Sequence, residues 1–173
     1  VRVRRMVLIG AGAGGPAYME SEGALWNSTH AQFRNMAALG MLHIAIPVRA
    51  TQLMMMNLIR RESYVNKALV TDDVVTWRDW FRRRDGRTDW HRIASELDYS
   101  PRLGAVEAPT LILCGRHDPQ FPAPASEQLE DGIRGAHLVV FEQSGHYPFL
   151  EEPDRFWGVV GEFLAAEPTK AGR

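Results

Sequence analysis

Cysteine is nearly absent from the sequence: Cys114 is the only one among 173 residues. A single cysteine cannot form a disulfide within the chain, and no Cys/His spacing typical of a zinc site occurs. The sequence therefore excludes a disulfide-stapled fold and indicates neither a metal nor any other cofactor. We expect a cytoplasmic protein.

An excess of one charge and a long apolar run are also missing. Twenty Lys and Arg residues against 21 Asp and Glu residues give a net charge of −1, whereas nucleic-acid-binding domains are usually strongly basic. The apolar stretch Met41–Val48 is interrupted by His43 and Pro47, and it is far shorter than the roughly 20 residues that span a bilayer. The apolar run after the first arginines is only about four residues long, against about 7–15 in a signal peptide. We expect neither a nucleic-acid partner nor a membrane partner.

The pattern of apolar residues divides the chain into four regions. Residues 1–16 hold a short aliphatic run, Arg5–Ile9, followed by glycines, which predicts a buried parallel strand and a turn. Residues 17–100 have a helical pattern rich in Met, Trp and Arg. Residues 101–167 alternate between strand and helix patterns, and residues 168–173 are expected to form a frayed tail.

The helical region is expected to contain several helices divided by glycine and proline. The predicted helices cover residues 22–38, 50–59, 73–81 and 90–97, and the expected breakers are Gly40, Pro47, Gly86 and Pro101.

The region after Pro109 has a different character. The apolar runs Thr110–Cys114 and Leu138–Phe141 predict strands, Ala125–Ile133 predicts a helix between them, and Pro153 suits the first turn of a last helix. Strand, helix, strand and helix in this order predict a βαβ unit on a parallel sheet, so the predicted fold class is α/β.

Two titratable residues follow the predicted strands of this unit. Asp118 lies in the loop after the first strand, and His146 lies in the loop after the second. Because parallel neighbours lie about 4.8 Å apart and end at the same sheet edge, these loops can bring the carboxylate to the imidazole. Such a pair is the acid–base part of a nucleophilic triad. Either residue alone is more often structural, as a turn cap or a solvated histidine, but the pair favours a dyad. The neighbouring His117 is expected to point away from Asp118.

Both loops resemble those of the α/β-hydrolase superfamily. Residues 115–122 (GRHDPQFP) are similar to its acid loop, and residues 145–153 (GHYPFLEEP) are similar to its histidine loop, where Gly-His is commonly followed by Glu-x-Pro. The order Asp then His agrees with the family order. The sequences of both loops are most similar to those of prolyl aminopeptidase-like and related small-substrate hydrolases. The resemblance covers 103–164 well and 5–15 moderately, whereas 17–100 corresponds to a helical cap by position and character.

The resemblance implies the C-terminal portion of an α/β-hydrolase fold, with parallel sheet strands, flanking helices and an inserted helical cap. It implies that His146 acts as general base and then acid, and that Asp118 orients it. The implied reaction is cleavage of an ester, amide or N-terminal peptide bond in a small molecule or short peptide. The cap should roof the substrate pocket. The candidate lining residues are Trp26, Met54, Met55, Trp77 and Trp80.

The family's nucleophile elbow has no counterpart in this sequence. The elbow reads Gly-x-Ser-x-Gly and lies upstream of the acid and the base, but none of the seven serines has glycine at both −2 and +2. Ser144 is too close to His146 along an extended loop to present its hydroxyl to the ring. We therefore expect the N-terminal part of the same hydrolase to supply the nucleophile. We expect this nucleophile to be a serine, in a Ser-His-Asp mechanism. An aspartate, as in epoxide hydrolases and dehalogenases, or a cysteine stays an alternative.

Two other functions fit the sequence. Without a nucleophile, the chain would be a hydrolase-like protein that binds a small ligand and does not turn it over. The run Gly10–Gly15 satisfies GxGxxG after a predicted strand, as in NAD(P)-binding proteins. However, Pro16 follows directly, and no second strand ending in an acidic residue appears about 20 residues on, as that motif requires. We interpret the run as a turn that leads towards the cap.

Overall fold

The computed structural model describes residues 3–15, 33–46, 48–70 and 97–166. Its three strands are β1 (Met6–Ile9), β2 (Thr110–Gly115) and β3 (His137–Phe141). They form one parallel sheet in the order β1-β2-β3, with Met6 beside Thr110 and Leu111 beside His137. Every residue of the central strand β2 is buried. The predicted parallel α/β sheet is therefore confirmed.

In the described part of the chain, five α-helices and two 3-10 helices accompany the sheet. The α-helices are α1 (Phe33–Ala45), α2 (Arg49–Glu62), α3 (Ala123–Gly132), α4 (Pro148–Glu151) and α5 (Pro153–Ala165). The 3-10 helices are Lys67–Leu69 and Ser100–Ala105. Helix α3 connects β2 to β3, and α5 begins at Pro153 as predicted. The single turn α4 was not predicted.

The core lies on both faces of the sheet. On one face Ile112 packs with Leu129 of α3, and on the other face Leu111 packs with Phe141 and with Phe156 of α5. Successive residues of a strand point to opposite faces. A strand that is covered on both sides therefore needs an unbroken apolar run, which explains the sequence of β2.

The described part of the helical region consists mainly of α1 and α2. The expected break at Gly40 is wrong, because α1 continues through Gly40 to Ala45. A glycine inside a helix costs only about 1 kcal/mol relative to alanine, so it does not by itself end a helix. The helix predicted over 73–81 lies outside the described residues, as does that over 90–97 except for Leu97. No helix in the described ranges is long and apolar enough to cross a membrane.

Candidate active site

The loops that follow β2 and β3 bring Asp118 and His146 together. Nδ1 of His146 lies 2.8 Å from Oδ2 of Asp118. The Asp118 side chain is fully buried, whereas 19% of the His146 side chain is exposed. The predicted pair is therefore in direct contact, and the imidazole lies on the solvent side of the carboxylate.

The backbone of its own loop holds the other oxygen of Asp118. The N–H groups of Gln120 and Phe121 donate to Oδ1 at 2.8 and 3.0 Å. These hydrogen bonds offset the cost of burying a carboxylate and prevent its rotation. Because Oδ2 accepts from Nδ1–H, the tautomer of His146 that carries its lone pair on Nε2 is favoured.

Three residues surround the imidazole ring of His146. The Phe121 ring stacks on it at a centroid distance of 5.9 Å, and the Tyr147 ring contacts it edge-on at 4.9 Å. Gly10, directly after β1, lies against the ring, since a Cβ there would be 2.8 Å from Cε1. The φ angle of Gly10 is +49°. The ring therefore has aromatic contacts on two sides and a bare backbone on a third.

The rest of the glycine run also packs against protein. Gly14 forms an antiparallel bridge with Asp98, and a Cβ on Gly15 would be 2.9 Å from Cγ of Asp98. The carbonyl of the buried Ala13 accepts the Tyr99 N–H. These contacts support the interpretation of the run as a turn rather than as a phosphate-binding loop.

Three backbone segments meet beside the dyad. A Cβ on Gly115, at the end of β2, would lie 1.9 Å from the Gly145 carbonyl oxygen. A Cβ on Gly145 would lie 2.2 Å from the Ser63 carbonyl oxygen, and that same oxygen accepts the His146 N–H at 2.7 Å. Glycine is therefore required at both positions, and the segment after α2 touches the histidine loop directly.

The other histidine of this region and the described serines do not complete a triad. His117 is exposed, as expected for a residue that points away from Asp118. The buried Ser144 donates to Oε2 of Glu152 at 2.5 Å, and the buried Ser63 donates to the Ile59 carbonyl. Among the described residues, no hydroxyl lies within hydrogen-bond distance of Nε2 of His146. The described ranges therefore hold an acid and a base without a nucleophile.

Two tyrosines extend the site towards α2. The rings of Tyr64 and Tyr147 lie 4.6 Å apart between centroids. Burial raises the pKa of both phenols, and the charge of Arg60 opposes that rise at each. Both hydroxyls are consequently protonated at neutral pH and can donate a hydrogen bond.

The predicted pocket lining is described only in part. Met54 lies on α2 with 53% of its surface exposed, and Met55 lies on the same helix. Trp26, Trp77 and Trp80 lie outside the described residues. A cavity of about 260 Å³ opens at the end of α2. Its lining residues are Asn57, Arg60, Arg61, Lys67 and Val70.

Sequence reasoning missed several residues that shape the site. The sequence pattern predicts only a turn at Gly10, and it predicts no role for Ser63, which lacks the flanking glycines of a nucleophile elbow. For Gly10 the position directly after a strand of the same sheet was an available signal. For Ser63 no local pattern marks the contact, because it depends on where α2 lies.

Known hydrolases resemble this chain in sequence and in structure. The 2-hydroxy-6-oxononadienedioate/2-hydroxy-6-oxononatrienedioate hydrolase of Paraburkholderia xenovorans (strain LB400) is 27% identical over 171 residues, which cover 95% of this chain and 54% of that protein. An alpha/beta fold family hydrolase from Bacillus anthracis str. Sterne has a TM-score of 0.69 at 22% identity. The match covers 92% of this chain and 58% of the Bacillus chain. A mutant of the meta-cleavage product hydrolase CumD from Pseudomonas fluorescens IP01, complexed with acetates, has a TM-score of 0.59 at 27% identity. The match covers 94% of this chain and 56% of the CumD chain. This chain therefore spans about half the length of these relatives.

The family assignment rests on most of the chain rather than on the two loops. The sequence model of the Alpha/beta hydrolase family matches residues 1–159, a range that includes all three strands and both members of the dyad. The relatives described above are hydrolases but are not named as aminopeptidases, so the closer likeness to prolyl aminopeptidases stays a prediction. The chain belongs to the alpha/beta hydrolase family.

Proposed function

We propose that this chain carries the acid and the base of a Ser-His-Asp hydrolase that acts on a small carbonyl compound. The bond cleaved is an ester or a carbon–carbon bond next to a ketone. The observation that carries the proposal is the 2.8 Å contact between the fully buried Asp118 carboxylate and the partly exposed His146 imidazole.

Each nitrogen of His146 has a separate role in the proposed mechanism. Nδ1–H donates to Asp118, so the lone pair on Nε2 takes the proton of the nucleophile as the nucleophile attacks the carbonyl carbon. The buried carboxylate of Asp118 stabilises the imidazolium that forms. Nε2–H then donates its proton to the leaving oxygen or carbon. A water molecule, deprotonated by Nε2 in the same way, then attacks the acyl carbon. The bond to the nucleophile breaks, Nε2–H returns the proton to the nucleophile's oxygen, and the carboxylic acid product is released.

The relatives support a substrate that is a small keto acid. The Paraburkholderia relative is named for 2-hydroxy-6-oxo dicarboxylic acids. Three cationic residues line the cavity at the end of α2, which suits a carboxylate: Arg60, Arg61 and Lys67. Arg60 and Arg61 lie in the last turn of α2, and the residue that follows this helix, Ser63, accepts the His146 N–H, so the cavity lies at the end of α2 that adjoins the histidine loop. An amide or N-terminal peptide bond is within reach of the same chemistry, but no relative described above is named for one.

The proposed partner is the N-terminal part of the same hydrolase, which would supply the nucleophile and the oxyanion donors. In the described sheet β1 pairs only with β2, so its other edge presents unpaired backbone groups that can bind a further strand. Ile9, the last residue of β1, is 41% exposed. Helices α1 and α2 are proposed to belong to the cap. The cytoplasmic location stays a prediction.

The test uses the full-length gene product and its His146→Ala variant. Both are treated with a fluorophosphonate, which labels activated serines, and are assayed with p-nitrophenyl butyrate and with a 2-hydroxy-6-oxo-dienedioate. The proposal expects a labelled serine in the wild type and about 10⁶-fold slower turnover without the base. Turnover of an epoxide or alkyl halide without labelling would instead indicate an aspartate nucleophile. Calorimetric binding of a small ligand, or of NAD(P), without any turnover would support one of the non-hydrolytic alternatives.

A further inference from the structure

Glu151, the last residue of α4, joins two segments that are far apart in sequence. Its Oε1 accepts the N–H groups of Val65 and Asn66 at 2.7 and 2.8 Å. Its Oε2 accepts the N–H of Gly145 at 2.7 Å. Hydrogen bonds to a charged carboxylate are about twice as strong as neutral ones. One side chain thus connects the segment after α2 to the residue that precedes His146.

The segment Ser63–Asn66 contacts both loops of the dyad. The Ser63 carbonyl accepts the His146 N–H at 2.7 Å, and its hydroxyl accepts from the Gln120 side chain at 2.8 Å. Ser63 is completely buried. Gln120 also donates its N–H to Asp118. We call the hydrogen bonds of the Glu151 carboxylate to Val65, Asn66 and Gly145 a clamp, because they hold this segment against the histidine loop.

The neighbouring Glu152 shows that this arrangement is specific to position 151. Oε2 of Glu152 accepts from the Ser144 hydroxyl and from the Gln143 N–H, both within its own loop. Glu152 thus stabilises the loop internally, whereas Glu151 connects the loop to the segment after α2. Glu151 thus adds a side-chain connection between these segments to the direct hydrogen bond from the His146 N–H to the Ser63 carbonyl.

We propose that Glu151 is a positioning residue for the general base. Its carboxylate fixes Gly145 and His146 against the segment Ser63–Asn66 and thereby sets the contact between His146 and Asp118. The proposal rests on the proposed function, since it assigns a catalytic consequence to that contact. Because α2 belongs to the proposed cap, Glu151 contributes, together with the Ser63–His146 backbone hydrogen bond, to coupling the position of the base to that of the cap.

The experiment compares three variants of the full-length protein with the wild type. Glu151→Gln keeps the size of the side chain but turns one acceptor oxygen into a donor, so one side of the clamp is lost. Glu151→Ala removes both sides. The control is Glu142→Gln. It removes an exposed carboxylate of the same loop, which among the described residues forms its hydrogen bonds with the Arg116 side chain. Each protein is assayed for kcat and KM, and the His146 Nδ1–H proton resonance is followed by NMR.

A displaced base should lower kcat and leave substrate binding nearly intact. Because a misplacement of about 1 Å can cost about 100-fold, we expect kcat to fall about 10-fold in Glu151→Gln and about 100-fold in Glu151→Ala, with KM within about twofold. The Nδ1–H resonance should shift or broaden in the same order. Glu142→Gln should match the wild type in both readouts.

The resonance separates this proposal from the proposed function, because it reports the Asp118–His146 contact without any turnover. A folded Glu151→Gln variant with wild-type kcat and an unchanged resonance would overturn the positioning role. A fall in kcat with an unchanged resonance would also overturn it. A shifted resonance in a protein whose wild type hydrolyses nothing would support the positioning role while removing the proposed function. If Glu151→Ala does not fold, Glu151→Gln decides the question.

Discussion

Gly10 lies directly against the imidazole of His146, so that a Cβ on Gly10 would be 2.8 Å from Cε1 and 2.9 Å from Nδ1 of that ring. The same Cβ would be 3.3 Å from Oδ2 of Asp118. The end of β1 therefore forms one wall of the dyad. Only glycine provides this wall, because its φ of +49° is also unfavourable for any residue with a side chain.

Gly10→Ala should impair both stability and catalysis. The left-handed backbone costs roughly 1–2 kcal/mol for alanine, and the new methyl group displaces the ring, which should lower kcat by about 10-fold or more. Urea unfolding and steady-state kinetics measure the two effects. The control is Gly158→Ala in α5, where an added Cβ would have no described neighbour within 4 Å. This substitution should stabilise the protein by roughly 0.5–1 kcal/mol. Equal behaviour of the two variants would contradict the packing of Gly10 on the dyad.

Asp118→Asn should leave the fold intact and lower turnover by about 10⁴-fold. The amide oxygen can still accept the N–H groups of Gln120 and Phe121, so the amide NH₂ faces Nδ1 of His146. Nδ1 must then accept, and the proton moves to Nε2, where the base needs its lone pair. Circular dichroism checks the fold and initial rates check turnover. A rate within tenfold of the wild type would remove Asp118 from the mechanism.

Cys114 should be inert in the folded protein. It is fully buried in β2, and burial raises the pKa of its thiol from the ordinary 9.0 to about 11. A thiol reagent such as DTNB should therefore react at neutral pH only after unfolding in guanidinium. Rapid reaction of the native protein would show that β2 is not buried as described.

The same thiol should make stability fall between pH 9 and 11. In this window the unfolded state loses the thiol proton first, so the folded state binds more protons and becomes less stable as pH rises. A difference of about two pKa units corresponds to about 2–3 kcal/mol. Unfolding free energies of the wild type and of Cys114→Ser, measured across this window, isolate the effect, because the tyrosines titrate in both proteins. Parallel curves for the two proteins would contradict the raised pKa.

Phe156→Ala should destabilise the protein by about 3–5 kcal/mol, as expected for a buried aromatic residue. Phe156 is 1% exposed, and its ring lies 5.8 Å from the rings of both Phe141 and Phe149. Urea unfolding measures the change. The neighbouring Trp157 is 61% exposed, so Trp157→Ala should change stability by about 0.5 kcal/mol or less. Similar losses for both variants would mean that α5 packs on a different face.

The sequence by itself determined the elements that depend on local patterns. The unbroken apolar run of β2 marked a strand covered on both faces, and Pro153 marked the start of α5. The positions of Asp118 and His146 after successive strands were sufficient to predict their contact, because adjacent parallel strands end at the same edge of a sheet. The helix break predicted at Gly40 is wrong, because the hydrogen bonds of the surrounding helix outweigh the small free-energy cost of a helical glycine.

Only the tertiary structure decided which distant residues complete the site. Gly10 precedes His146 by most of the chain, and their contact follows from the pairing of β1 with β2 and of β2 with β3. The three hydrogen bonds of Glu151 depend on where the segment after α2 lies against the histidine loop. Hydrophobic periodicity records which face of an element is buried, but it does not record which element covers that face. Strand register and helix docking set these contacts, and both are properties of the assembled fold.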